Sequence, residues 1–142
     1  MIKHLAITLR SVMKNPVITV DENATLKEVI EKLGFYDIGC VVVIKDSTVK
    51  GIISERDIIK ILKDNDAKVL EEPVSKYMVH NIVSLSPEST IIEALHIMFS
   101  NRIRHLVVSS NGKLEGIVSL RDVAMSLFKT FMTIYSYIIE KC

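Results

Sequence analysis

Two heptapeptides, Gly51-Ile-Ile-Ser54-Glu-Arg-Asp57 and Gly116-Ile-Val-Ser119-Leu-Arg-Asp122, each set a serine hydroxyl three residues ahead of a carboxylate. At the start of a helix that spacing suits a cap, because the side chains of both residues can satisfy backbone N–H groups that lack a helical partner. An ionised carboxylate in the same place could instead accept charge-assisted hydrogen bonds from two neighbouring hydroxyls, such as those of a ribose. The residue types alone leave both readings open. Arg56 and Arg121 precede the two carboxylates, and a further basic group, Arg102, Arg104 and His105, stands just ahead of the apolar run Leu106–Val108. Such a group could hold a phosphate. The matching places ahead of Val41–Val43 carry Asp37, Gly39 and Cys40, which offer no positive charge.

These groups recur because the chain repeats itself with a shift of 65 residues and no gap, from Met13 and Met78 through Thr25 and Thr90, Glu28 and Glu93, Ile38 and Ile103, to Asp57 and Asp122. That period is longer than the roughly 20–50 residues of solenoid units, and two copies are too few for an array. Duplication of one small unit accounts for it. In each copy a short strand (Val17–Val20; Ile82–Leu85) leads to a Thr/Glu capping pair and a helix, the first running to about Leu33 and stopped by Gly34 and Gly39. Apolar strands with β-branched character follow (Cys40–Ile44; Leu106–Ser109), then a turn, a strand ending on the serine, and a second helix. Asn111-Gly112 is the strongest of the hairpin signals.

The expected fold class is α+β (α/β), two pseudo-symmetric β-α-β-β-α repeats packed into one module with N- and C-terminal helical segments. The boundaries read as an N-terminal segment 1–11, repeat 12–63, a polar linker 64–76 carrying Pro73, repeat 77–126, and a C-terminal helix 127–142. Each half of about 65 residues buries too little surface to be comfortable alone, so a shared core is expected.

The Gly…Ser-x-x-Asp heptapeptides, together with Ile103-Arg-His-Leu-Val-Val108, resemble the signature of CBS domains, and the resemblance covers residues 12–126 in both copies. It implies a tandem pair with two clefts that bind an adenosine-containing ligand such as AMP, ADP, ATP or S-adenosylmethionine. By that resemblance Ser54, Arg56 and Asp57 act with Ile82, Ile103, Arg104 and His105 as the competent nucleotide site. Ile82 and Ile103 would take adenine by apolar contact, Asp57 the ribose, and Arg104 and His105 the phosphate. Val17, Ile38, Gly39, Cys40, Ser119, Arg121 and Asp122 would form a second cleft, weaker or empty for want of positive charge. CBS pairs also dimerise through their helices, which implies a homodimer and a regulated protein acted on in trans.

Composition sets other limits. Hydrophobic residues make up 49% and charged residues 25%, with a net charge of +1. That is globular, a little apolar, and without the basic excess of a nucleic-acid binder. The four histidines, including His4, His80 and His96, lack metal-ligand spacing, and the two cysteines, Cys40 and Cys142, make no disulfide framework. With no resident cofactor, no nucleophile beside an evident base and no phosphate-cradling loop, the chain reads as a non-enzyme. The start, Met1 to Arg10, has no signal-peptide pattern, and a cytoplasmic location is expected. Val123–Ile139 is apolar but broken by Lys129, Thr130, Thr133 and Ser136, so it reads as a helix buried against this fold or a second subunit rather than a membrane span. With Leu5, Leu9 and Val12 it forms the apolar helical surface expected to meet partners. A dimeric scaffold with vestigial clefts is the alternative function.

Overall fold

The computed structural model describes residues 6–142; Leu5 and His4 lie outside them. The elements, in chain order, are α1 (Leu9–Val12), β1 (Thr19–Asp21), α2 (Leu26–Tyr36), β2 (Cys40–Lys45), β3 (Thr48–Ser54), α3 (Glu55–Asp64), β4 (Ser84–Leu85), α4 (Ile91–Asn101), β5 (His105–Ser110), β6 (Lys113–Ser119) and α5 (Leu120–Lys141). They form two three-stranded sheets, β1-β2-β3 and β4-β5-β6, each with one parallel and one antiparallel pairing. The α+β class and the repeated β-α-β-β-α order expected from the sequence are observed.

Two compact units result, and they interleave along the chain: Val17–Ile82 makes one, while the residues up to Pro16 join Val83–Cys142 in the other. In the first, β2 is central and buries Val41 and Val43 against Leu26, Val29 and Leu33 of α2. Segment 64–76, expected as a polar linker, belongs to this core. It folds into 3-10 turns at Ala67–Glu71 and Val74–Lys76, and its Val69 and Val74 are buried there. Backbone bonds from Leu26 N to Glu72 O and from Val74 N to Ala24 O tie the segment to the start of α2. Apolar side chains spaced among its polar residues supply the driving force, which a reading by polarity overlooks.

In the other unit, Leu106 and Val108 of β5 pack on Ile91, Ala94 and Met98 of α4 and on Val123 of α5. Leu9 of α1 is fully buried in the same cluster, and Thr8 bridges Thr90.

Capping boxes start α2 and α4 as expected: Thr25 with Glu28, Thr90 with Glu93. Gly34 does not stop α2. The helix runs three residues past Leu33, and Asp37 ends it in the left-handed region at φ 51°, as Arg102 ends α4 at φ 54°. The hairpin turns pair Asp46 with Ser47 and Asn111 with Gly112, all with positive φ. A two-residue turn of that handedness matches the twist of the flanking strands. The last two expected segments merge, because α5 continues unbroken for 22 residues. Its distal half is not buried against this fold: Phe128, Phe131, Tyr135 and Ile138 are all at least half exposed. Among the described residues no helix is long and apolar enough to cross a membrane.

Candidate functional site

Each heptapeptide spans a strand-to-helix junction, and one close approach explains its glycine. A Cβ on Gly51 would lie 2.5 Å from Sδ of Met78, and a Cβ on Gly116 would lie 2.6 Å from Sδ of Met13. Only a residue without a side chain lets the methionine cross the strand there. The chain following each methionine is then held flat on the same strand: Val79 exchanges two backbone hydrogen bonds with Ile52 (2.8 and 3.0 Å), and Lys14 exchanges two with Ile117 (2.9 and 3.1 Å).

At the end of β3, Ser54 caps α3. Its Oγ accepts from Asp57 N (3.3 Å), while Asp57 Oδ2 accepts from Ser54 N (2.9 Å) and from Ser54 Oγ (2.7 Å). At the end of β6, Asp122 Oδ2 accepts from Ser119 N (3.0 Å) and Ser119 Oγ from Asp122 N (3.1 Å). Capping and ligand binding, rivals by residue type, thus become compatible: the cap occupies Oδ2 of each carboxylate and leaves Oδ1 outside it. Both aspartates are partly exposed.

The surroundings of the two carboxylates differ. Beside Ser54 and Asp57 the first unit sets Gly39, whose carbonyl accepts from Glu55 N (2.9 Å), and Cys40, the cross-strand partner of Ser54. Burial pushes the Cys40 thiol up to about 12, and the negative charge of Asp57 adds to the effect. That thiol stays protonated and unreactive at neutral pH. Ile38 packs against this unit's core, Val17 and Ile82 are half-buried at its two chain ends, and Arg56 is exposed on α3.

The other unit is basic where the first is neutral. Arg104 O accepts from Leu120 N (2.8 Å), and His105 is the cross-strand partner of Ser119. Ile103 packs against the core, and Arg104 and Arg121 are exposed. A residue absent from the sequence-based site joins them: Lys14 Nζ lies 3.9 Å from Asp122 Oδ1, the oxygen outside the cap. The signal for it was present in the repeat itself, because the 65-residue shift sets Lys14 against Val79. Among the described residues no cluster of His, Cys, Asp or Glu could hold a metal ion.

Comparison with known proteins bears on the fold and the family. The family model described as "CBS domain" matches residues 9–64 and 74–129. An uncharacterised 17.7 kDa protein of Acidianus ambivalens is 37% identical over 87% of this chain and 74% of its own length. A CBS-domain containing protein of Agrobacterium tumefaciens superposes with a TM-score of 0.79 at 33% identity, over 84% of this chain and 98% of that one. A CBS domain protein of Pyrobaculum aerophilum, solved in complex with AMP, superposes with a TM-score of 0.74 at 27% identity, over 82% of this chain and 89% of that one. The doubled heptapeptide, the doubled sheet and these matches together show that the chain belongs to the CBS-domain family, as a tandem pair.

Proposed function

We propose that this chain is a regulatory module that binds an adenosine-containing ligand and passes the binding event to a partner protein. The observation that carries the reading is the spare carboxylate oxygen at each junction, Oδ1 of Asp57 and of Asp122, held in place by a cap that uses only Oδ2. A carboxylate fixed in that way can accept from both hydroxyls of a ribose without giving up the helix it starts. The AMP complex of the Pyrobaculum relative supports an adenine nucleotide as the ligand. In this proposal Ser54, Asp57, Ser119 and Asp122 act on the ribose, and Arg56, Arg104, His105 and Arg121 supply positive charge for phosphate. Ile82, Ile103, Val17 and Ile38 give apolar surface for the base, with Gly39 and Cys40 completing the second set.

Binding changes the behaviour of a partner only by the free energy with which the ligand distinguishes two conformations of the module. The exposed apolar row on α5 favours a homodimer, the form in which the module would act in trans on its target. The same row is the observation behind the second reading, a dimeric scaffold whose junctions bind nothing.

Thermal unfolding with millimolar AMP, ADP, ATP and S-adenosylmethionine separates the two. A ligand present at about 100 times its Kd stabilises by about 2.7 kcal/mol. A shift of several degrees with one of these ligands, reduced in Asp57→Ala or Asp122→Ala, is the expected result. Unchanged midpoints with all four would leave the scaffold as the better account.

A further inference from the structure

The Lys14 contact is a charge difference between two junctions built on the same capping box. Its backbone is pinned on β6 by two hydrogen bonds, so the placement does not depend on a loose loop. Its side chain reaches the one oxygen of Asp122 that the cap leaves over. The same place beside Asp57 is held by Val79, pinned in the same way on β3 and without charge.

We propose that Lys14 is a specificity residue, by which the junction at Asp122 selects ligands carrying an anionic group, such as a nucleoside 5′-phosphate, over the neutral nucleoside. The proposal rests on the reading of Asp122 as the ribose acceptor. In the free protein the ammonium stands 3.9 Å from Oδ1, so hydroxyls arriving at that oxygen compete with its charge. A phosphate on the same ligand offers the ammonium a new partner and releases Oδ1 to the ribose. A neutral nucleoside offers nothing in exchange.

The existing pair is easily surrendered, since it spans 3.9 Å and the lysine side chain is 63% exposed. The flexible lysine stem allows the swing from carboxylate to phosphate. Arg104, whose carbonyl is bonded to the first residue of α5, adds charge in the same unit. This reverses the expectation that the junction at Asp122 is the poorer one for phosphate; Lys14 supplies the missing charge.

The test is calorimetric titration of the full chain with AMP and with adenosine, in an Asp57→Ala background that removes the other carboxylate. Lys14→Met should lower the ratio of AMP to adenosine affinity roughly tenfold, the loss of one charge-assisted contact, and Lys14→Arg should preserve it. Lys14 is exposed, so the Met variant keeps its fold. The converse variant, Val79→Lys with Asp122→Ala, should raise the ratio at Asp57. An unchanged ratio in Lys14→Met overturns the proposal while leaving adenosine-ligand binding standing. Failure of AMP and adenosine alike to bind the unaltered chain overturns the proposal for Lys14, and unchanged midpoints with ADP, ATP and S-adenosylmethionine as well overturn the reading beneath it.

Discussion

Replacing Gly51 by alanine tests why the heptapeptide begins as it does. The added Cβ would meet Met78 Sδ at 2.5 Å, Met78 Cγ at 2.7 Å and the carbonyl oxygen of Val79 at 3.0 Å. Met78 is 7% exposed and belongs to the unit's core, so it cannot simply turn to solvent. Overpacking of this kind costs about 1–3 kcal/mol. For a chain of this length each kcal/mol lowers the midpoint by roughly 4 °C. Urea unfolding should therefore show a lower midpoint concentration with an unchanged slope. In the matching substitution, Gly116→Ala, the three nearest atoms all belong to Met13: Sδ at 2.6 Å, Cγ at 2.9 Å and Cβ at 3.0 Å.

A second substitution can repair part of the clash at each site. In Gly116→Ala/Met13→Ala the Sδ and Cγ contacts disappear, and the pair should show a favourable coupling energy of about 1 kcal/mol or more in a double-mutant cycle. In Gly51→Ala/Met78→Ala the Sδ and Cγ contacts disappear likewise, and since each double variant keeps one contact at 3.0 Å, the Val79 oxygen in one and the Cβ retained by Met13→Ala in the other, coupling of similar size is expected at both pairs. Gly51→Ala within about 0.5 kcal/mol of the parent, or a cycle with no coupling at either pair, would refute the account of the glycine as a crossing point for methionine.

Asp57→Asn and Asp122→Asn should keep most of the stability, since the amide oxygen of asparagine can still accept from the backbone N–H of Ser54 or Ser119. They should nevertheless weaken ligand binding, a separation that calorimetry and thermal unfolding on the same samples would detect. Ser54→Ala and Ser119→Ala should each cost about 1 kcal/mol in urea unfolding through loss of the cap. A thiol reagent at pH 8 should label Cys142, which is exposed, and spare Cys40 in the native protein, giving one modified thiol per chain by mass spectrometry. Because burial raises the Cys40 thiol from 9.0 to about 12, its contribution to stability is complete below pH 9 and is lost as pH rises from there toward 12. Cys40→Ala should flatten that alkaline decline in unfolding measurements. Ending the chain after Lys129 removes Phe131, Tyr135 and Ile138 but leaves Val123 and Leu127 with the core, so the protein should stay folded, and if the proposed homodimer forms through this row the shortened chain should sediment as a monomer.

The repeat exposed most of this fold because both copies obey the same local rules. Thr25 and Glu28 start a helix for the same reason as Thr90 and Glu93, and the structure shows all four side chains making the reciprocal bonds that their spacing implies. Local rules also explain the misses. Glycine often stops a helix, yet after Gly34 the next residues, Phe35 and Tyr36, remain helical and the left-handed position falls on Asp37. Segment 64–76 looked solvated because its apolar residues are few, and what matters is that Val69 and Val74 face a core built by residues about 40 positions earlier.

The carboxylates show how far residue types can carry an argument about function. Serine and aspartate three apart were compatible with a cap or with a ribose site, and nothing in their identity could choose. The two oxygens of one carboxylate remove the need to choose, since Oδ2 serves the cap and Oδ1 does not. Charge was harder to place. Arg104 and His105 are legible because they sit next to the central strand in sequence, whereas Lys14 is 108 positions from Asp122 and comes near it only because the segment before β1 lies on β6. Comparing the copies position by position would have marked it, because Lys14 against Val79 changes a cation to an apolar residue one step after the shared methionine. In a duplicated chain the positions that agree report what the fold needs, and those that disagree in charge are where the two halves can come to differ in function.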